Sequence, residues 1–308
     1  MPSITEVQTE TAVWLPEFVA KARQLALKGT VNNFIPALSR VDPAKLGFSL
    51  LSLDGTSVHF GDCNEKLSIQ SISKLYIMHV LVNKDSDGLW ARVGQTPSAT
   101  DRFDTISQLE QDAGIPRYPF LNSGALVMTD MLCDITDDPT SLILEHLETA
   151  LGLPGIQIDR DVATSEYETA DRNRALGYYL KSHRNLKHSV EKVVRAYCEM
   201  CAITMSCQEL ATAAFAFANN GCDLHGRQII APAEIQKINM VTQLCGLYGD
   251  SLSFSTPLNL AAKSGSGGGI VAALPGRFSI AAWSPPLTEV GNSVAAMHLL
   301  QQSCGVVS

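Results

Sequence analysis

Apolar side chains recur at helical spacing across about residues 10–28, where Val13, Leu15, Phe18, Val19, Ala22, Leu25 and Leu27 trace one face and Gly29 stops the pattern. The period then changes. Residues 46–53 and 56–60 read as two short strands around Asp54-Gly55, a dipeptide suited to a tight hairpin. A helix is expected from Ser71 to about Asn83, and helical periodicity dominates from roughly 107 to 245, in segments 124–135, 141–151, 162–182, 190–202, 208–220 and 232–245. Strand character returns at 269–274 and 277–283 around Pro275-Gly276, and Asn292 opens a final helix. Strands at both ends around a helical middle predict an α+β fold. Its antiparallel sheet is built from the N- and C-terminal strands and flanked by helices, with an inserted all-helical subdomain. The expected organisation is a single domain over 1–308, the sheet subdomain formed by 1–75 and 246–308 and the mainly helical subdomain by 76–245. A binding cleft would lie between the two.

Composition narrows the classes. Of 308 residues, 45% are hydrophobic and 18% charged, enough for a large core in an ordinary globular chain. The net charge of −8 argues against nucleic acid or an anionic membrane as a partner, and leaves a small molecule or a protein. The segment Met1-Pro-Ser-Ile-Thr-Glu has neither the basic start nor the apolar run of a signal peptide, and no apolar stretch reaches membrane-spanning length. A cytoplasmic location is therefore expected. The eight cysteines read as free, mostly buried thiols. Cys198-Glu-Met-Cys201 spells C-x-x-C inside a helical segment, without the second pair a zinc site needs.

Two stretches carry candidate chemistry. Ser71-Ile-Ser-Lys74 places a hydroxyl and an amine three residues apart, on one side of a helix. A lysine whose ammonium is desolvated can take the proton of a serine nucleophile. The motif alone is weak, because a chain of this length holds about one such tetrapeptide by chance, and Ser189-Val-Glu-Lys192 is a second copy in a charged setting. The other stretch is Lys263-Ser-Gly-Ser-Gly-Gly-Gly269, whose glycines would let a ligand approach backbone N–H groups as an oxyanion site requires. Ser-x-x-Lys on an early helix and Lys-Ser-Gly on a late strand is the layout of the serine β-lactamase and penicillin-binding class.

Further blocks make the likeness more specific. Leu67-Ser-Ile-Gln-Ser-Ile-Ser-Lys74, Asn122-Ser-Gly-Ala125, Ser165-Glu166 with Arg172-Asn-Arg-Ala175, Tyr197-Cys-Glu-Met-Cys201, Leu247-Tyr248, the Lys263 stretch and Ser284-Pro-Pro-Leu followed by Gly291-Asn-Ser293 stand in order. Together they resemble the serine-dependent glutaminase family, from about residue 29 to the end. That resemblance implies a β-lactamase-like fold and hydrolysis of L-glutamine to L-glutamate and ammonia. Ser71 would attack the side-chain amide and form a glutamyl ester, Lys74 would help remove the serine proton, and Tyr248 would shuttle protons to the departing ammonia. Backbone N–H groups of Ser71 and Ser266 would form the oxyanion hole. Glu166, the carboxylate among the matched positions, would hold the substrate ammonium, with Asn122, Asn173, Tyr197, Tyr248 and Ser266 as further contacts. No metal or cofactor is implied, the partner is L-glutamine, and a homodimer or homotetramer is suggested.

Some positions depart from the family pattern. Phe34 stands where tyrosine is usual, which removes a hydroxyl from the expected pocket, and Asp104 replaces an asparagine near it. Ser266 replaces a valine, and Asn259-Leu-Ala-Ala262 replaces a Gly-Leu-Pro-like approach to Lys263. Two alternatives stay open beside the glutaminase reading. One is another serine acyl hydrolase of the same class, although the chain has no Ser-x-Asn or Tyr-x-Asn triplet for that class's third motif. The other is a catalytically weak glutamine-binding or interaction protein. The geometry expected is Ser71 Oγ, Lys74 Nζ and Tyr248 OH within hydrogen-bond reach.

Overall fold

The computed structural model describes residues 16–96 and 104–307. It begins with helix α1 (16–26), and the start of the expected 10–28 helix lies outside the described residues. Strands β1 (Gly47–Ser52) and β2 (Ser57–Gly61) form the expected hairpin, in register from Gly47 opposite Gly61 to Leu51 opposite Ser57. Asp54 Oδ1 accepts from the Thr56 N–H at 2.9 Å and Gly55 takes φ +86°, so both residues of the turn dipeptide are used. A short β3 (Leu67–Ser68) and a 3₁₀ turn (Gln70–Ile72) lead into α2 (Ser73–Arg92), which is interrupted at Asp85 (φ −157°, ψ 73°).

The helical middle follows. It comprises α3 (Ser107–Gln111), α4 (Asn122–Ile135), α5 (Pro139–Thr149), β4 (Gln157–Ile158), α6 (Arg160–Glu168), α7 (Asp171–Ser182), α8 (Val190–Cys201), β5 (Ile203–Met205), α9 (Cys207–Ala213), α10 (Phe215–Ala218) and α11 (Pro232–Cys245). Two expected helices each divide. The 162–182 segment breaks after Glu168 and the 208–220 segment at Ala214, neither with a glycine or proline to mark the place. Strands β3, β5 and β4 form a second, three-stranded sheet too short to leave a period in the sequence.

After the one-turn α12 (Thr256–Leu258), strands β6 (Ala261–Ser264), β7 (Gly269–Leu274) and β8 (Phe278–Trp283) precede the final α13 (Val294–Val307). The main sheet has the order β2-β1-β8-β7-β6, all antiparallel, so the N-terminal hairpin pairs with the C-terminal one through β1 and β8. Period-2 alternation in β7 and β8 feeds two cores. Ile270, Ala272, Ile280 and Ala282 pack with Val19, Ala22 and Leu299 of α1 and α13, whereas Val271, Ala273, Ala281 and Trp283 face the helical middle. Both faces are covered, which is why these strands read as unbroken apolar runs.

The glycines after Lys263 have a different cause from the one their pattern suggests. A Cβ on Gly265 would lie 2.2 Å from Ile69 O, and one on Gly267 would lie 2.4 Å from Ser68 O. They let the loop after β6 press against the chain that leads into Ser71. Their neighbours are backbone atoms, so a side chain there forces the two segments apart. Gly267→Ala should cost about 1–3 kcal/mol, as overpacking at a rigid contact does, read as a lower Tm. An unchanged Tm would show that the loop can retreat freely.

Candidate active site

Ser71 is the middle residue of the 3₁₀ turn, one residue after Gln70, whose backbone takes φ +50°. The correction to a helical Ser71 is small, because side chains three apart eclipse one another in a 3₁₀ turn and Lys74 begins the next turn. Ser71 lies at the wall of a cavity of about 630 Å³ between the main sheet and the helical middle. Asn122, Glu166, Asn173, Tyr197, Tyr248 and Ser266 line the same cavity, so every candidate residue except Lys74 faces it. Lys74 lies beneath, with no solvent exposure.

The surroundings of Lys74 decide its state. Its Nζ donates to Phe120 O and to Asn122 Oδ1, both at 2.9 Å. Burial pushes its pKa down to about 8, against weaker attraction from Cys201 and Glu166. A neutral amine has two N–H donors and one lone pair. The two acceptors match the donors, which leaves the lone pair free for a proton. Asn122 is the first residue of α4, and besides serving Lys74 its Oδ1 accepts from Tyr197 OH at 3.4 Å while its Nδ2 donates to Asn173 Oδ1 at 2.9 Å. Three candidate contacts are thus linked to the lysine.

Tyr248 comes from the far end of the chain. The Ser71 and Ser264 hydroxyls beside its phenol oppose the rise in pKa that burial causes. The expected cluster is met in part: Tyr248 stands beside Ser71, whereas the Lys74 amine is hydrogen-bonded to Phe120 O and Asn122 Oδ1 and, among the described residues, not to Ser71. The Tyr248 backbone takes φ +54°, a left-handed conformation unusual for an aromatic residue, so neighbours must hold it. Ser251 Oγ accepts from Leu247 N–H at 2.8 Å and donates to Tyr248 O at 3.0 Å. Asn292 Nδ2 donates to Leu247 O at 2.9 Å and to Asp250 Oδ2 at 2.8 Å. The Gly291-Asn-Ser293 block thereby acts on the tyrosine turn.

Lys263 is the functional candidate that sequence reasoning missed, although its motif had been singled out. It is fully buried, donates to Gly246 O at 3.1 Å and to Ser264 O at 2.6 Å, and sits 4.6 Å from the Tyr248 ring centre. Burial and, secondarily, the nearby Lys74 hold its pKa well below the ordinary lysine range. Its environment disfavours the charged form. Gln70 was missed as well: its Nε2 donates to Glu166 Oε2 at 3.1 Å.

In the same cavity, burial raises Glu166 to about 7, opposed by the hydrogen bond from Gln70, by the neighbouring Cys201 and by the charge of Lys74. A cation bound there would return it to the ionised form. Near the glycine loop, Gly265 N–H is bonded to Gly269 O and Gly268 N–H to Gly265 O, whereas Ser266 N–H makes no backbone hydrogen bond among the described residues.

The Ser71 turn, a buried lysine, a tyrosine distant in sequence and a Lys-Ser-Gly strand meet around one cavity. The family model described as Glutaminase matches residues 29–305. The chain belongs to the glutaminase family. It is 39% identical to the glutaminase of Shewanella loihica over 295 residues, covering 94% of this chain and 97% of that one. It is 39% identical to glutaminase 2 of Escherichia coli K12, with 94% of each chain covered. Among solved structures, a probable glutaminase of Bacillus subtilis superposes with a TM-score of 0.88 at 28% identity, over 97% and 96% of the two chains. A Bacillus subtilis probable glutaminase complexed with 6-diazo-5-oxo-L-norleucine superposes with a TM-score of 0.83 at 28% identity, over 94% of each. The β-lactamase-like fold of the glutaminases is thus shared along nearly the whole chain.

Within this glutaminase fold the departures find physical settings. Phe34 is 55% exposed and stands at the cavity wall. Asp104 also lines the cavity, but Arg172 meets it, donating from Nε to Asp104 O at 2.9 Å with the carboxylate at 4.0 Å, so its charge is answered locally. Asn259 takes φ +51°, a conformation asparagine tolerates nearly as glycine does, which explains its place. The second Ser-x-x-Lys is a helix cap: Ser189 Oγ accepts from Lys192 N–H at 3.2 Å, and Lys192 Nζ pairs with Asp137 at 3.1 Å. Cys198 and Cys201 are buried free thiols whose pKa values burial raises.

The raised Glu166 pKa has a consequence for stability. An unfolded glutamate ionises near its ordinary value and the folded one near 7, so between these values the folded state binds more protons. Stability then falls as pH rises through this window and stays lower above it. Without ligand, Glu166→Gln should raise Tm over wild type at pH 8, by the equivalent of about 1–3 kcal/mol, and the advantage should vanish near pH 4. Equal Tm values at pH 8 would contradict the assigned burial cost.

Proposed function

We propose that the protein hydrolyses L-glutamine to L-glutamate and ammonia through a glutamyl ester on Ser71. The observation that carries this reading is the convergence on one cavity of Ser71, Tyr248 and Glu166, with Tyr248 close enough to Ser71 to feel its hydroxyl. The neutral Lys74 amine takes the Ser71 proton as Oγ attacks the side-chain amide carbon. The oxyanion is received by the N–H groups of Ser71 and Ser266, the second of which has no competing backbone acceptor among the described residues. Tyr248 passes a proton to the amide nitrogen, and ammonia leaves. Water then attacks the ester by the reverse proton route, returning the serine and releasing glutamate.

Recognition of a free amino acid follows from the same cavity. The Glu166 carboxylate meets the substrate ammonium, and Asn122, Asn173 and Tyr197 offer amide and phenol groups to its polar end. The 6-diazo-5-oxo-L-norleucine in the Bacillus subtilis relative has glutamine's amino-acid end and side-chain carbonyl, with a diazo-bearing carbon in place of the amide nitrogen, which suits the same assignment. By family resemblance we also read residues 1–308 as a single catalytic domain, acting in the cytoplasm as a homodimer or homotetramer without metal or cofactor.

A second reading, a glutamine binder with little turnover, draws on Phe34 at the cavity wall. Ammonia release separates the two. Ser71→Ala should lower kcat by about 10⁴-fold or more while leaving glutamine binding measurable. Equal inactivity of wild type and variant, with both binding glutamine, would replace hydrolysis by binding.

The pH profile is a separate check. Glu166 must be ionised to hold an ammonium and Lys74 must be neutral to accept a proton, so activity should climb from pH 6 through about 7 and 8. A rate independent of pH between 6 and 8.5 would remove Lys74 as the base.

A further inference from the structure

Gln70 is 2% exposed and joins the two ends of the proposed substrate site. Its Nε2 donates to Ser68 Oγ at 3.0 Å and to Glu166 Oε2 at 3.1 Å. Its Oε1 accepts from Ser266 Oγ at 3.1 Å. A half-turn of the amide would exchange two ends of nearly equal shape and opposite polarity, turning a carbonyl toward the Glu166 carboxylate. Cys201 O, 3.5 Å from Nε2, also favours the NH₂ at that end, and the Ser266 hydroxyl is the donor that favours the oxygen at the other.

We propose that the Ser266 hydroxyl is a positioning group for substrate binding: by donating to Gln70 Oε1 it keeps the Gln70 NH₂ on the Glu166 carboxylate. The inference rests on the glutamine reading above and deepens it. Ser266 itself is well placed for this, since Asn32 Nδ2 donates to Ser266 O at 3.2 Å and glycines on either side press the loop against the Ser71 turn. The residue then acts on both ends of the ligand. Its N–H faces the reacting amide, and its Oγ, through Gln70, prepares the carboxylate that receives the ammonium. Without the hydroxyl, Oε1 remains buried without its donor, and the ordered orientation loses part of its advantage.

Binding measured apart from turnover tests this. On the Ser71→Ala protein, calorimetric affinity for L-glutamine should fall about 3–10-fold with Ser266→Val, as expected for one neutral hydrogen bond. Ser266→Thr, which has valine's shape and keeps the hydroxyl, should stay within about two-fold by the same reasoning. With Ser71 intact, Ser266→Val should raise KM more than it lowers kcat, and shift the acid limb of kcat/KM to higher pH. A carboxylate that loses a donor is harder to ionise. The other ionisable groups coupled to Glu166, namely Lys74 of α2 and Tyr197, Cys198 and Cys201 of α8, are the same in all these variants. Equal affinity with and without the Ser266→Val substitution, a Ser266→Thr variant no better than Ser266→Val, or a loss confined to kcat would each overturn the proposal. If Ser71→Ala binds no glutamine and wild type releases no ammonia, the functional reading falls and this inference with it.

Discussion

The site depends on a close approach of backbone to backbone. The loop after β6 lies so near residues Ser68 to Gln70 that a single added carbon at Gly265 or Gly267 would strike a carbonyl oxygen. This contact brings the C-terminal sheet to the Ser71 turn and sets the distance between Ser71 and the Ser266 N–H. It is also what lets Ser266 reach Gln70. Side-chain packing could adjust to small errors, whereas two abutting main chains leave little freedom.

Desolvation then does the chemical preparation. Lys74 and Lys263 are both fully buried, and their Nζ atoms are met by carbonyl and amide oxygens rather than carboxylates. An ammonium in such a place costs more than an amine, so the fold favours bases where free lysine would be an acid. In the same cavity burial makes Glu166 reluctant to ionise without a cation. A ligand that carries its own positive charge relieves that cost by binding. Burial and selectivity are therefore two effects of one low-polarity environment.

Much of this was legible in the sequence, and the reasons for the gaps are physical. The Pro232–Cys245 helix and the Gly269–Leu274 strand have the bounds their patterns predict, because a proline, a glycine or a change of period marks each end. The division of 162–182 into α6 and α7 was hidden because Thr169 and Ala170 make the break without a turn-forming residue. The strands of the second sheet are two or three residues long, below any detectable period. For the site, the ordered motif blocks identified the residues that line the cavity. They did not reveal the main-chain purpose of the glycines, the left-handed backbone of Tyr248 or the bridging amide of Gln70. Those depend on what stands opposite in space, which one strand of sequence does not record. The duplicated Ser-x-x-Lys makes the same point, since Ser189 caps a helix where Ser71 opens onto a cavity.

The left-handed Tyr248 turn has a consequence for how the protein is made. Its clamp includes Asn292, 45 positions further along than the Leu247 carbonyl it holds. The bridge from Gln70 to Ser266 spans 196 positions. Local helices can form as the chain emerges, but contacts of this reach must wait for both partners. A ribosome that has delivered the Ser71 turn and the whole helical middle has therefore delivered no complete site. Competence arrives only with the last few dozen residues, so an unfinished chain is kept from acting by the order in which its parts are synthesised.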